Sequence, residues 1–343
     1  MQYPVYRPYQ APGPRRPLWG GLSFRSYWEK RGIRQAALGV GVSFLFFYIL
    51  QFGISLLLSV VLLLLGPAGM DAYALLTDPA GVYVQSVVLS ALLFTLPFII
   101  GARISRRRVG EVLRLGKVRP SLFVPLVCIG LGMCMLGNFA ANLLGTTFSV
   151  FGMPPVQPQM EDPAGFFGYA LVILASAFLP ALVEEFAFRG VVLGLVRPFG
   201  DGFAIVISAV LFGLMHGNLV QAPFAVVVGL GLGYITVASR SMWPAIAAHF
   251  LNNLLATLFN SLAAGLTPTV YNLANGLFCL LFLAVGLIGA AVYVKKQPAA
   301  FRLHPSPCEL SASGRYKAFA SQPAMIVTLC LLVLSILVTQ FLS

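Results

Sequence analysis

The chain has 343 residues, of which 59% are hydrophobic and only 9% are charged. Soluble domains carry about 25% charged residues, so this composition excludes an ordinary soluble protein and indicates an integral membrane protein. The net charge of +12 would suit nucleic-acid binding, but its distribution along the chain favours membrane topology instead. The five cysteines form no CxxC pair, so neither a disulfide framework nor a zinc finger is indicated.

The chain begins with a polar segment and continues as a series of apolar runs. Residues 1–18 are rich in proline, arginine and tyrosine, which predicts a disordered tail. Trp28, Lys30 and Arg31 lie in an aromatic and basic segment suited to a membrane surface. A spanning helix needs about 20 apolar residues. The sequence therefore predicts an all-α fold, a polytopic transmembrane helical bundle of about 8–9 spans, with nine candidates at 36–66, 82–102, 121–148, 165–198, 202–216, 220–238, 243–262, 272–294 and 323–342.

Lysine and arginine fall on one side of the predicted membrane. If the N-terminus is cytosolic and the spans alternate, segments 1–35, 103–120 and 295–322 face inside and hold seven, seven and five of the 22 basic residues. The other three lie near or beyond the inner ends of helices: Arg189, Arg197 and Arg240. The outer loops hold acids alone: Asp71, Asp78, Glu161 and Asp162. This positive-inside pattern predicts a multi-pass membrane protein with its N-terminus in the cytosol. We expect the membrane to be a bacterial plasma membrane.

Three charged residues interrupt the fourth apolar segment. Glu184 and Glu185 are adjacent and Arg189 follows one turn later, although a charge near the bilayer centre costs about 2.5–3.5 kcal/mol. Adjacent helical positions point about 100° apart, so the two glutamates cannot share a face. Glu185 and Arg189 have the i,i+4 spacing of a helical ion pair. Glu184 has no cation at the corresponding positions and needs a partner on another helix, a water molecule or a proton.

Two histidines and an asparagine are the further polar candidates within the predicted spans. His216 lies in the fifth segment, and His249 lies in the seventh with Asn253 one turn later. At 1.5 Å per residue, Glu184 and His216 lie about 21 Å from the inner ends of their helices, and Asn253 about 15 Å. We therefore expect polar groups from three helices to converge at one level.

This set of side chains suits more than one function. A carboxylate and an imidazole can position a water molecule and take its proton, while an imidazole and a carboxamide can stabilise an oxyanion. Such chemistry hydrolyses amides without a serine or cysteine nucleophile. Glu184, His216 and His249 could equally ligate a divalent metal such as zinc, although no HExxH motif is present. A non-catalytic transporter or immunity factor could use the same cluster for ion or proton passage.

Three motifs occur in order over about 70 residues: EExxxR (Glu184, Glu185, Arg189), FxxxH (Phe212, His216) and HxxxN (His249, Asn253). They resemble the motifs of the CPBP intramembrane protease family, also called the ABI or CAAX protease family, which includes CAAX prenyl endopeptidases and bacteriocin-immunity-type proteins. The resemblance implies that Glu184, assisted by His216, activates water and that His249 and Asn253 stabilise the oxyanion. Glu185, Arg189 and Phe212 would be supporting residues. Both a metalloprotease and a metal-free glutamate mechanism remain open.

The resemblance covers only part of the chain and sets the expected partners. We divide the chain into a cytosolic tail with an interfacial segment (1–35), N-terminal transmembrane helices (36–148), a CPBP-like catalytic core (165–262) and C-terminal transmembrane helices (263–343). The expected substrate is a membrane-embedded or membrane-anchored peptide, and the expected surroundings are the lipid bilayer. No nucleic acid is expected as a partner.

Overall fold

The computed structural model describes residues 23–152, 162–263, 265–297 and 299–341. Within these ranges the protein is helical, without a β-strand, and twelve helices follow one another along the chain. We number them α1 Phe24–Leu64, α2 Pro67–Thr77, α3 Pro79–Ile104, α4 Val109–Val112, α5 Pro120–Val150, α6 Gly165–Phe199, α7 Asp201–Met215, α8 Gln221–Ser239, α9 Trp243–Ala263, α10 Pro268–Lys296, α11 Ala312–Ala320 and α12 Pro323–Phe341.

The predicted polytopic helical bundle is confirmed. Each of the nine predicted segments coincides with a helix, and seven helices of the described chain are long and apolar enough to cross a membrane. Of the other two, α7 has only 15 residues and α9 carries several polar residues. Helix α1 begins at Phe24, earlier than expected, and α2 lies where a loop was expected. The predicted disordered tail, residues 1–18, and Glu161 lie outside the described residues.

Side chains and prolines at the helix starts explain where several helices begin. The Ser23 hydroxyl accepts a hydrogen bond from the Ser26 backbone N–H at the start of α1. The Thr267 hydroxyl likewise accepts a hydrogen bond from the Val270 backbone N–H at the start of α10. Helices α3, α5 and α10 each begin with proline, whose missing N–H costs nothing in the first turn.

Helix α6 changes its winding twice. Leu174–Phe178 and Phe186–Val192 are π-helical, and the α-helical stretch Leu179–Glu185 lies between them. Pro180 occupies the first turn of this stretch. Proline has no N–H for the preceding turn, so the regular hydrogen-bond ladder cannot continue through it. Pro180 is therefore a local cause of the change in winding at Leu174–Phe178.

Two groups of buried apolar side chains form the interior. The first lies among α1, α3, α6 and α7, where the rings of Phe44, Phe98 and Phe188 are 5.5–6.0 Å apart. The second lies among α5, α8, α9 and α10. Within it, a Cβ added at Gly286 of α10 would lie only 2.5 Å from the Cα of Gly132 of α5. Helix α6 packs against α3 and α7 on one side and α9 on the other.

The basic segments of the chain lie together at one end of the bundle. The Met242 backbone N–H, at the start of α9, donates to the Arg114 carbonyl at 2.7 Å. Helix α4 lies against α6, where a Cβ at Gly194 would lie 2.6 Å from the Val112 carbonyl oxygen. The Arg315 guanidinium donates to the carbonyl of Phe199, the last residue of α6. We call this end of the bundle, formed by residues 105–119, 197–202, 239–242 and 299–322, the basic end.

The first helix is tied to the last part of the chain at this end. Glu29 of α1 is only 1% exposed, and its carboxylate accepts hydrogen bonds from the backbone N–H groups of Glu309 and Leu310 at 3.1 and 3.0 Å. The Thr328 hydroxyl of α12 donates to the Gly41 carbonyl of α1 at 3.0 Å. Helices α1 and α12 are therefore direct neighbours.

Much of the outer surface is apolar. The second half of α1 and most of α10 expose large hydrophobic side chains, including Leu63, Leu64, Leu287 and Ile288. In water such a surface would be a liability, whereas in a bilayer it is the ordinary lipid-facing surface. These features indicate a multi-pass membrane protein.

Candidate active site

The adjacent glutamates of α6 differ sharply in their surroundings. The Glu185 side chain is fully buried, and the Glu184 side chain is 18% exposed. They occupy the last two positions of the α-helical stretch Leu179–Glu185, directly before the second π-helical segment. As expected from the helix period, they point in different directions and meet different partners.

Glu185 forms the predicted ion pair and a second bond that the sequence did not predict. Its Oε1 accepts from Arg189 Nη1 at 2.9 Å, with both side chains fully buried. The same oxygen lies 3.0 Å from Nδ1 of His249, on α9. A carboxylate can only accept, so His249 carries a proton on Nδ1. Glu185 thereby fixes the orientation of the imidazole ring.

Arg189 is held on three sides. Besides Glu185, it donates from Nη2 to the Gly229 carbonyl of α8 at 3.5 Å. Its guanidinium carbon lies 4.3 Å from the centre of the Phe212 ring, within the range of a cation–π interaction. A Cβ at Gly229 would lie 2.9 Å from the Cα of Ala209, so this glycine allows close helix packing.

Glu184 lies near both histidines, as the sequence predicted. Its Oε2 is 3.9 Å from Nε2 of His249, the ring nitrogen that faces away from Glu185. It also shares with His216 a small cavity of about 90 Å³. The other lining residues of this cavity are Phe94, Phe188, Phe212 and Met215. A water molecule placed there would meet two polar side chains and otherwise apolar walls.

His216 is oriented by its own helix. It is the residue that follows α7, and its Nδ1 lies 2.8 Å from the Phe212 carbonyl oxygen. A carbonyl can only accept, so Nδ1 is the protonated nitrogen and, in the neutral ring, Nε2 has a free lone pair. The spacing of the FxxxH motif has a physical reason here, because it places the Nδ1 donor of His216 one helical turn after the carbonyl acceptor of Phe212. The Phe212 ring also packs edge-on against the rings of His216 and His249, at 4.9 and 5.9 Å.

Asn253 lies one turn beyond His249, and its amide forms hydrogen bonds with α6 and with its neighbour Asn252. Its Nδ2 donates to the Ser176 carbonyl of α6 at 3.2 Å, and its Oδ1 accepts from Asn252 at 3.1 Å. Asn252 was not among the predicted site residues. The spacing of the motifs does not single out Asn252. Its contact matters only because α9 packs on α6, where Asn253 bonds to the Ser176 carbonyl and Asn252 bonds to Asn253.

The histidines and acids of the site are not arranged as a metal centre. Within the described ranges, no three His, Cys, Asp or Glu side chains are grouped so that they could hold a metal ion. Glu184 and His249 approach each other to 3.9 Å, but His216 does not complete a set with them. The predicted zinc ligands Glu184, His216 and His249 therefore do not fit that role in this geometry, and we derive no step through a metal.

The part of the basic end nearest to the site is the start of α9. Gly190 lies at the level of Met242, where the Cβ it lacks would come 3.4 Å from the methionine side chain. Glu184 is six residues before Gly190, or about 9 Å along α6. The site is therefore nearer to the start of α9 than to the end of α6. The estimate of about 21 Å for Glu184 refers to the end of α6, which continues past the start of α9 to Phe199.

A larger apolar cavity lies beside the polar cluster. It has a volume of about 600 Å³ and is lined by Phe123, Phe178, Leu182, Trp243, Ile246, Ala247 and Phe250. Leu182 is two residues from Glu184, and Phe250 follows His249 directly. The cavity and the polar cluster are thus built from the same two helices, α6 and α9.

This arrangement is a cluster of two carboxylates, two imidazoles and a carboxamide inside a helical membrane bundle, and comparison with known proteins agrees with it. Residues 166–255 match the family model described as "Type II CAAX prenyl endopeptidase Rce1-like". The resemblance inferred from the three motifs is therefore confirmed over this segment, roughly a quarter of the chain.

Among curated proteins, the chain is similar to the "Putative membrane peptidase YdiL" of Bacillus subtilis (strain 168). The two are 29% identical over 84 residues, which are 24% of this chain and 34% of the relative. The match thus spans about a third of the length of that relative. No solved structure matches the chain.

Proposed function

We propose that this protein is an intramembrane endopeptidase that hydrolyses peptide bonds of membrane-associated proteins or peptides. Glu184, assisted by His216, activates a water molecule for attack on the scissile carbonyl. The observation that carries the proposal is the shared cavity of these two side chains, which is walled by aromatic rings and lies within a helical bundle. The match to a CAAX endopeptidase family model over 166–255 supports the same assignment.

The proton of the attacking water has two nearby acceptors. The Glu184 carboxylate is partly exposed and free of an ion pair with Arg189, and the His216 ring offers Nε2 when that nitrogen carries no proton. As the water attacks, its proton moves to one of them and then to the leaving amine. Because the cavity is small and otherwise apolar, few additional water molecules can compete for these groups.

His249 and Asn253 are the proposed donors to the oxyanion. The Nδ1 proton of His249 is committed to Glu185, so only a doubly protonated ring can donate from Nε2. The oxyanion role thus requires a cationic His249, next to the carboxylates of Glu184 and Glu185. Donors of this kind contribute about 10²–10³-fold to a rate.

The substrate is proposed to be apolar near the cleaved bond. The cavity of about 600 Å³ beside the polar cluster exposes almost no polar surface and is large enough for a bulky side chain or a lipid group. A membrane-embedded or lipid-anchored peptide supplies such a group. Approach from the basic end is proposed to run beside α9, since Glu184 lies only about 9 Å along α6 from Gly190, the residue against which the Met242 side chain packs.

Peptide cleavage by the reconstituted protein tests this function. Wild type, Glu184→Gln and the control Asp71→Asn, at an exposed carboxylate of α2, are incubated in liposomes with membrane-anchored peptides with and without a prenyl group. We expect wild type and Asp71→Asn to give the same products and Glu184→Gln to be slower by about 10³-fold, analysed by mass spectrometry. Identical products from wild type and Glu184→Gln would overturn the proposal.

Two other outcomes would replace the proposed metal-free protease by a different function or mechanism. If Glu184→Gln abolished ion transport or protection against a bacteriocin while no peptide was ever cut, the non-catalytic transporter or immunity factor would be the correct assignment. If elemental analysis found one zinc per chain that was lost in His216→Ala, the water would have to be assigned to a metal.

A further inference from the structure

A proline in α6 leaves one backbone carbonyl without its usual donor. In an α-helix the N–H of residue 180 would bond to the carbonyl of residue 176, but Pro180 has no N–H. The Ser176 carbonyl lies in the π-helical segment Leu174–Phe178, which ends where the stretch with Pro180 begins. In the π-helical pattern the backbone donor to this carbonyl is the N–H of Ala181, and the second lone pair of the oxygen stays open for a donor from outside the helix.

Asn253 supplies that donor from a different helix. Its Nδ2 lies 3.2 Å from the Ser176 carbonyl oxygen, across the contact between α6 and α9. Because a carbonyl only accepts, this bond fixes which end of the amide faces α6. The bond uses one of the two hydrogens on Nδ2.

Asn252 completes the arrangement from the other side. Its Nδ2 donates to Oδ1 of Asn253 at 3.1 Å, and Asn252 itself is buried. A rotation of the Asn253 amide by half a turn would place two carbonyl oxygens together at Ser176 and two amino groups together at Asn252. Both contacts therefore select the same orientation.

We propose that Pro180 and Asn252 are positioning residues for Asn253. Pro180 keeps the Ser176 carbonyl available, Asn252 holds Oδ1, and together they point the second Nδ2 hydrogen of Asn253 to the oxyanion. The catalytic part of this inference rests on the proposed function. The hydrogen-bond network itself does not, so the two are tested by separate measurements.

A stability cycle tests the link between Pro180 and Asn253. The melting temperature is measured in detergent for Asn253→Leu, for Pro180→Ala and for the double variant. Asn253→Leu should lower it by about 3 °C in wild type, because the Ser176 carbonyl loses its side-chain donor from α9. In the Pro180→Ala background residue 180 regains its N–H, which can bond to this carbonyl. Asn253→Leu should then lower the melting temperature by less than half as much as it does in wild type. Pro97→Ala, at a proline inside α3, is the control and should leave the loss unchanged.

A kinetic cycle tests the link between Asn252 and Asn253, with the membrane-anchored peptide that wild type cuts fastest as the probe. Asn252→Leu should lower kcat about tenfold with little change in KM, since it frees the amide to rotate. In the Asn253→Ala background the same change should have no further effect, because Asn252 acts only through Asn253. Asn260→Leu, at an exposed asparagine of the same helix, should keep the kcat of wild type.

The results separate three cases. Coupling in both cycles supports the inference. If the effects of Asn253→Leu and Pro180→Ala on the melting temperature are additive, the link between Pro180 and Asn253 is wrong. If the effects of Asn252→Leu and Asn253→Ala on kcat are additive, the positioning role is wrong, even where the hydrogen bonds exist. A wild-type protein that cuts no peptide overturns the proposed function and the catalytic role with it, while the stability cycle still reports on Pro180.

Discussion

At the scale of single residues, Glu185 and Glu184 share a sequence motif and have different surroundings. Glu185 is committed to Arg189 and to Nδ1 of His249, whereas Glu184 faces the cavity that it shares with His216. The ion pair was predictable because its partners lie on one helix. The bond to His249 was not, because 64 residues separate it from Glu185 and only the packing of α9 on α6 brings the two together.

The buried ion pair can be separated from the orienting role of Glu185. Arg189→Met alone should destabilise the protein by about 3–5 kcal/mol, because it leaves a buried carboxylate without its cation. The double variant Glu185→Leu with Arg189→Met should recover most of this loss. Peptide cleavage should nevertheless stay about 100-fold below wild type, since His249 has lost the acceptor for its Nδ1 proton. Recovery of both stability and activity would contradict an orienting role for Glu185.

At the scale of elements, the existence and order of the helices were predictable and their winding was only partly so. Runs of apolar residues indicate helices wherever a lipid environment forces the backbone to bond within itself. The first π-helical segment, Leu174–Phe178, has a local cause in Pro180, which follows it. The second π-helical segment, Phe186–Val192, contains no proline, so no local signal marked it.

Close packing of α5 on α10 gives a prediction for two glycines of the same helix. Gly286→Val should destabilise the protein by at least 2 kcal/mol, because a Cβ at this position would lie 2.5 Å from the Cα of Gly132. Gly276→Val is the matched control, since a Cβ there meets nothing within 4 Å. Its effect should be small or stabilising, since glycine is a poor helix former. Unfolding in denaturing detergent measures both. Equal losses would show that the helix contact is not the cause.

At the scale of the whole molecule, the charge pattern predicted which segments share an end. The structure brings the basic segments together through contacts such as Met242 with Arg114 and Arg315 with Phe199. The level of the site could not be predicted, because the sequence does not tell how far one helix slides past another. This offset is set by side-chain packing, for example that of Gly190 against Leu113 and Met242.

The side of the membrane on which the basic end lies is open to direct measurement. We expect it to be cytosolic, since Lys and Arg concentrate there. In a background without reactive native cysteines, Gly110→Cys should react with a membrane-impermeant thiol reagent only after the cells are opened. Ala74→Cys, at an exposed position of α2, should react in intact cells. The opposite pattern would reverse the topology.

The contacts between the first and last helices also bear on the timing of synthesis. The Thr328 hydroxyl and the Gly41 carbonyl are separated by 287 residues, which a ribosome needs on the order of 15–60 s to translate. During that time α1 is made but lacks its final neighbour, and the carboxylate of Glu29 still lacks the N–H groups of Glu309 and Leu310. The nascent bundle must therefore remain open along one side until the last helix is inserted. The contacts that tie α1 to the end of the chain are thus the last that this helix acquires.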